Sequence, residues 1–175
     1  MYLATLEVNR CRFTGILDFH ALKMTQNSLL KFEKKLTIPQ IIESISKFDM
    51  AVLVSLIYHS INRITPIDED EFMNKVMTDC TDEELLERYS KFLDYISELF
   101  RVCLPKNVES EDEFEDIPDN FIDEDKDWDF PYMEYLWMST LKRDNFWEAT
   151  PKNFFEQIEI HRLLNAPKQE DVEEL

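Results

Sequence analysis

Among the groups in this 175-residue chain able to move a proton, hold a metal or attack an electrophile are three histidines, three cysteines and 37 carboxylates. His20, His59 and His161 stand far apart in the sequence. His59 lies within an apolar run, where a hydrogen-bonded core histidine is the expected role rather than a ligand or base. Cys11, Cys80 and Cys103 are odd in number, widely spaced and without a Cys-x-x-Cys pair. That pattern gives neither a disulfide framework nor zinc-ligand spacing, and it fits reduced packing thiols. A Cys–His pair formed in space stays open, although nothing local builds the electropositive site that a reactive thiolate needs. Asp68-Glu69-Asp70-Glu71 lacks the glycine and ligand spacing of a calcium loop, and suits the charged first turn of a helix. Gly15 is the single glycine. Phosphate-cradling loops need several, so Rossmann and Walker sites are excluded. The expectation is a protein that is not an enzyme, with no cofactor and no metal.

The elements that would position these groups read as mainly α. Residues 1–16 alternate as two strands about Asn9-Arg10, an N-terminal β-hairpin. From Asp18 the apolar spacing becomes helical through Phe19, Leu22, Leu29, Leu30, Phe32 and Leu36. Thr37, Pro39 and Gln40 predict a capping box and a new helix bearing Ile41, Ile42 and Ile45. Asp49 is placed to cap MAVLVSLIYHSIN, which is apolar almost all round and is expected to be the buried central helix. Thr65-Pro66 or Asp68 opens a helix with Phe72, Val76 and Met77. Thr81 and Glu84 form a second capping box, before a long stripe of Leu85, Leu86, Tyr89, Phe92, Leu93, Ile96, Leu99, Phe100 and Cys103 that ends at Pro105. The organisation expected is a hairpin plus small helical domain over 1–105, an acidic flexible linker over 106–129, a short aromatic-rich helical module over 130–164, and a polar tail over 165–175.

The charge is uneven. Residues 109–129 carry −11 of the formal −18. A block of like charges repels itself and reads as a linker. Phe114, Ile117, Phe121 and Ile122 interrupt it. Strong negative charge argues against nucleic acid and anionic membrane as partners, because both require a basic face. Residues 50–61 form the most apolar segment and fall short of the ~20 needed to cross a bilayer. No signal peptide opens the chain, so the expected location is cytoplasmic.

Order is expected to resume after the acidic run. Asp129 precedes FPYMEYLWMSTLKRD, and Thr150-Pro151 starts a helix to about Leu164. Tyr132, Trp137, Phe146, Trp147, Phe154 and Phe155 lie in this region. They have two readings: the core of a small helical hairpin, or a partner-binding surface. Segments below ~40 residues rarely hold a core of their own. Part of this surface is therefore expected to dock on the first domain, on another copy or on a partner, since Trp, Tyr and Phe furnish binding hot spots.

In order, these pieces resemble the tail assembly chaperones of long-tailed bacteriophages and gene transfer agents. The resemblance rests on Val8-Asn9, Phe13, Asp18 to Leu22, Leu29 to Leu36, the Ile41/Ile45 helix, DMAVLVSLIYHSI, Thr65 to Phe72 and the helix after Thr81. WDFPYMEYLWMSTLKRDNFWEATPKNFFEQI is similar to the C-terminal extension of the family's long form. Arg10 stands where the family's hairpin turn usually has glycine, and Asn153 where an acidic residue is common. The resemblance implies a protein of the host cell cytoplasm, absent from the finished virion. It would coat and solubilise the tape measure protein, self-associate, and recruit tail tube protein through the extension. A different class, an acidic DNA-mimic inhibitor of a host nucleic-acid enzyme, draws on the −18 charge. It would need carboxylates held rigidly at phosphate-like spacing.

Overall fold

The computed structural model describes residues 3–47, 49–77, 81–105 and 126–166. Most of the expected linker and tail, and Cys80, lie outside these. Among the described residues a two-stranded antiparallel hairpin is followed by seven α-helices, the mainly α class that the sequence predicts.

Strands β1 (Ala4–Val8) and β2 (Cys11–Gly15) pair with Ala4 opposite Gly15 and Val8 opposite Cys11. Asn9 and Arg10 take φ of 47° and 60°, the left-handed pair that a two-residue hairpin turn requires, reached here without glycine. Asn9 Nδ2 donates to the Lys75 carbonyl at 2.9 Å and ties the turn to a later helix. Ala4, Leu6 and Val8 alternate with exposed residues, so one face of the hairpin enters the core.

Helix α1 (Phe19–Leu29) starts at Asp18, whose carboxylate accepts from Ala21 N. The helix stops at Leu29, short of the Leu36 that apolar spacing suggested. A 3-10 turn, Leu30–Phe32, is followed by Glu33 with φ 58°, and Lys34 N donates back to Leu29 O. The reversal leaves Leu30 and Phe32 in solvent. Helix α2 (Ile38–Ser46) has the predicted Thr37/Gln40 capping box, and α3 (Met50–Asn62) the predicted Asp49 cap. Helix α3 buries Val52, Leu53, Leu56, Ile57 and Ile61 and packs on α1, α2 and β2, the central position expected of it. Helix α4 (Glu69–Met77) is opened by Asp68, whose Oδ1 accepts from Asp70 N and Glu71 N.

Helix α5 (Asp82–Cys103) has the Thr81/Glu84 capping box and lies along β1. The expected stripe is corrected at two places along the helix. Leu85 and Leu86 are exposed, because burial begins only at Arg88, whose Nη1 donates to Val76 O. Tyr95, outside the expected stripe, is buried with Phe92, Ile96 and Leu99. Tyr95 also explains the single glycine. A Cβ on Gly15 would sit 2.0 Å from the Tyr95 hydroxyl oxygen and 3.0 Å from the Ser60 carbonyl. The Tyr95 hydroxyl hydrogen-bonds Ser60 Oγ at 2.7 Å, and Ile16 N donates to Ser60 O.

The described end of the predicted linker is corrected too. Residues 126–129 are built into the fold: Trp128 is buried, Asp127 accepts from Gln26 Nε2 and Ile38 N, and Asp129 caps α6 (Phe130–Tyr135). Helix α6 widens into a π turn at Leu136–Thr140 rather than running on regularly. A 3-10 turn, Phe146–Glu148, leads to Thr150, the predicted cap of α7 (Pro151–Asn165). Trp128, Phe130, Met133, Trp137, Phe146 and Phe154 belong to the same buried cluster as the hairpin and α1 to α5. The C-terminal module therefore shares its core with the first domain.

Candidate partner-binding surfaces

Phe19 is the hub on which the C-terminal rings assemble. It is fully buried in the first turn of α1. Phe146 stacks on it at 4.5 Å, and Phe154, Trp128 and Phe130 meet it edge-on at 5.6, 5.9 and 6.0 Å. Such pairs add ~0.5–1.5 kcal/mol each beyond area burial. Phe19 N, an unpaired donor of the first helical turn, is satisfied by Ala149 O at 3.1 Å.

The six residues expected to meet a partner divide. Trp137, Phe146 and Phe154 are buried, with Trp137 stacked on Phe154 at 6.0 Å and its indole N–H donated to Asp144 O. Trp147 and Phe155 are partly buried; Trp147 donates to Glu134 and tilts against Phe130. Tyr132 alone is exposed, at 51%. Tyr135 and Met138, at 61% and 51% exposed, extend its row and were missed by sequence reasoning. The signal was available: Phe130, Met133 and Trp137 bury one side of the helix, and the i, i+3 spacing of Tyr132, Tyr135 and Met138 puts them on another.

A second exposed apolar group surrounds the turn after α1. Leu30 and Phe32 are 54% and 57% exposed, next to Lys31, Lys34 and Lys35. Lys34 pairs with Asp49, which brings the turn to the start of α3 and its exposed Met50. A third lies at the end of α7, where Ile160, Leu163 and Leu164 are exposed.

Three titratable groups of the interior have hydrogen-bond partners. Ser28 Oγ and His59 Nε2 hydrogen-bond at 2.7 Å, and burial, with help from Lys31, pushes the His59 pKa down to about 4. Burial pushes the Cys103 thiol up to about 11, toward the protonated form, and its sulfur accepts from Leu17 N at 3.5 Å. Asp18 is buried; its carboxyl is raised by that burial despite Ala21 N and the Arg63 guanidinium at 2.7 Å. Among the described residues no group of three or more His, Cys, Asp or Glu could hold a metal, and no helix is long and apolar enough to cross a membrane. A shallow depression of about 380 Å³ at the hairpin turn is lined by Glu7, Arg10, Cys11, Arg12 and Lys91. Its Arg12 pairs with Glu7, and Lys91 with Glu87.

Comparison with family models, curated proteins and solved structures gave no match to this chain.

Proposed function

We propose that this protein is a phage tail assembly chaperone. It coats and solubilises the tape measure protein, helps to recruit tail tube subunits, and is absent from the finished virion. The observation that carries the reading is the row of Tyr132, Tyr135 and Met138. These large side chains stand in solvent while the other side of the same helix is locked into the core. A fixed apolar face with aromatic and methionine side chains suits docking of a protein partner, which we assign to the tube subunit. The −18 charge keeps many copies apart in solution. The order of hairpin, helical body and aromatic extension agrees with the resemblance described above.

The test is co-expression with the tape measure protein of the same phage, followed by pull-down and size-exclusion chromatography. Several copies co-eluting with a soluble tape measure support the reading; an insoluble tape measure and a chaperone eluting alone overturn it. Tube recruitment is tested with Tyr132→Ser, Tyr135→Ser and Met138→Ser together. Phe154 is unsuited to that test, because its buried ring reports on folding. Retained tape measure binding with lost tube recruitment is the expected result.

A further inference from the structure

We propose that the Leu30–Phe32 turn is a docking surface for the chain's own acidic segment, residues 106–125. The surface is apolar and cationic in a protein that is otherwise strongly acidic. Leu30 and Phe32 stand in solvent, flanked by Lys31 and Lys35, which are exposed and make no salt bridge among the described residues. Glu33 is the one acid within the turn. The segment has the complementary make-up: ten carboxylates against Lys106, with Phe114, Ile117, Phe121 and Ile122 between them. Paired apolar anchors and opposite charge are what a specific contact of this kind needs.

The two ends of the segment put this surface within its reach. At its C-terminal end, Asp127 is fastened beside the turn. Gln26 Nε2 donates to both Leu36 O (2.9 Å) and Asp127 Oδ2 (2.6 Å), and Ile38 N donates to Asp127 Oδ1 (2.9 Å). Residues just before Lys126 therefore start within a few residues' reach of Lys35. At its N-terminal end, Cys103 lies against Leu17, just before α1. The two anchors are thus separated by roughly the part of α1 from Phe19 to Gln26, about 11 Å at 1.5 Å per residue, plus the two residues before it. Twenty residues span up to ~66 Å when extended. That is several times what the connection requires, and it is enough to pass over the turn. Tethering makes the contact intramolecular, with an effective concentration in the millimolar range for a short tether. A weak contact would then suffice for occupancy. The inference does not depend on the identity of the client.

The test uses the full chain and a zero-length carbodiimide, which joins a lysine amine to a carboxylate only at contact distance. An equal mixture of 14N- and 15N-labelled protein is cross-linked and the peptides are read by mass spectrometry. The expected products join Lys31 or Lys35 to acidic residues of 109–125 within one isotope class. They should exceed links from Lys47, Lys91 or Lys142 to the same segment at least fivefold. Leu30→Ser with Phe32→Ser alters only exposed side chains, and should cut the yield at least fivefold with an unchanged circular dichroism melt. Equal linking at the control lysines, mixed-isotope products, or an unchanged yield in the double variant would each overturn the proposal. Mixed-isotope products would assign the surface to a second copy instead.

Discussion

The hairpin with α1 to α5 and the C-terminal region from Trp128 onward share one core but are held by different means. The first is mostly aliphatic, with Phe13, Phe72, Phe92 and Tyr95 as its buried rings beside Phe19. Ile38, Ile41, Val52, Leu53, Leu56, Ile57 and Ile61 fill it, and close backbone approach at Gly15, Ser60 and Tyr95 locks it. The second is aromatic, and its central ring, Phe19, belongs to the first region. A short C-terminal segment that could not hold a core by itself thus borrows one. The lesson is a division of labour: the aliphatic part sets the frame, and the rings clip a displayed helix onto it at few points.

The hardest way to break that arrangement is Phe19→Ala. It removes a fully buried ring and should cost about 3–5 kcal/mol. All three tryptophans lie in the C-terminal region, so their fluorescence reports on it while far-UV circular dichroism reports on the whole. In the wild type the two urea transitions should coincide, as a shared core requires. In Phe19→Ala the fluorescence transition should move to lower urea and precede the other. Coincident transitions in the variant would make the whole chain one cooperative unit with no separable clip.

Acid should act next most strongly, and on the frame. The His59 pKa of about 4 lies below the ordinary 6.5. The unfolded chain therefore binds a proton that the folded one refuses between these values. Stability from this group is complete above about pH 6.5 and is lost as pH falls toward 4, by at most about 3 kcal/mol. His59→Gln should flatten that part of the stability–pH curve. An unchanged slope would assign it to other groups.

Gly15→Ala should cost about 1–3 kcal/mol through overpacking, because the added methyl meets Tyr95 Oη at 2.0 Å. Combined with Tyr95→Phe, which removes that oxygen, the loss should be less than the sum of the two single losses. Strict additivity would place the strain on the Ser60 backbone. The smallest effect is expected from Tyr135→Ser and Met138→Ser on the displayed face, within about 0.5 kcal/mol. A larger drop in thermal stability would show that this face is already covered, for example by a second copy.

Much of the local architecture was legible in the sequence. Thr37, Asp49, Thr81 and Thr150 each begin a helix as expected, because a cap is a hydrogen bond to a backbone N–H two or three residues away. The hairpin turn at Asn9-Arg10 and the buried character of α3 were legible for the same reason: alternation and apolar density are read within a dozen residues. His59 as a hydrogen-bonded interior histidine followed from its apolar neighbours.

What only the tertiary structure decided are contacts between distant positions. Leu85 and Leu86 fit a helical stripe by spacing, yet the packing of α5 begins a turn later and leaves them in water. Tyr132 and Phe154 are equally aromatic in sequence, and only the location of Phe19 determines which one is displayed and which one buried. Trp128 lies in an acidic run whose composition predicts a linker, but Gln26 and Ile38 supply the donors that hold its neighbour Asp127. Composition and periodicity carry the preference of each residue for water or interior. Which of many apolar residues obtain the limited interior is settled by the chain as a whole, through burial shared among partners tens of residues apart.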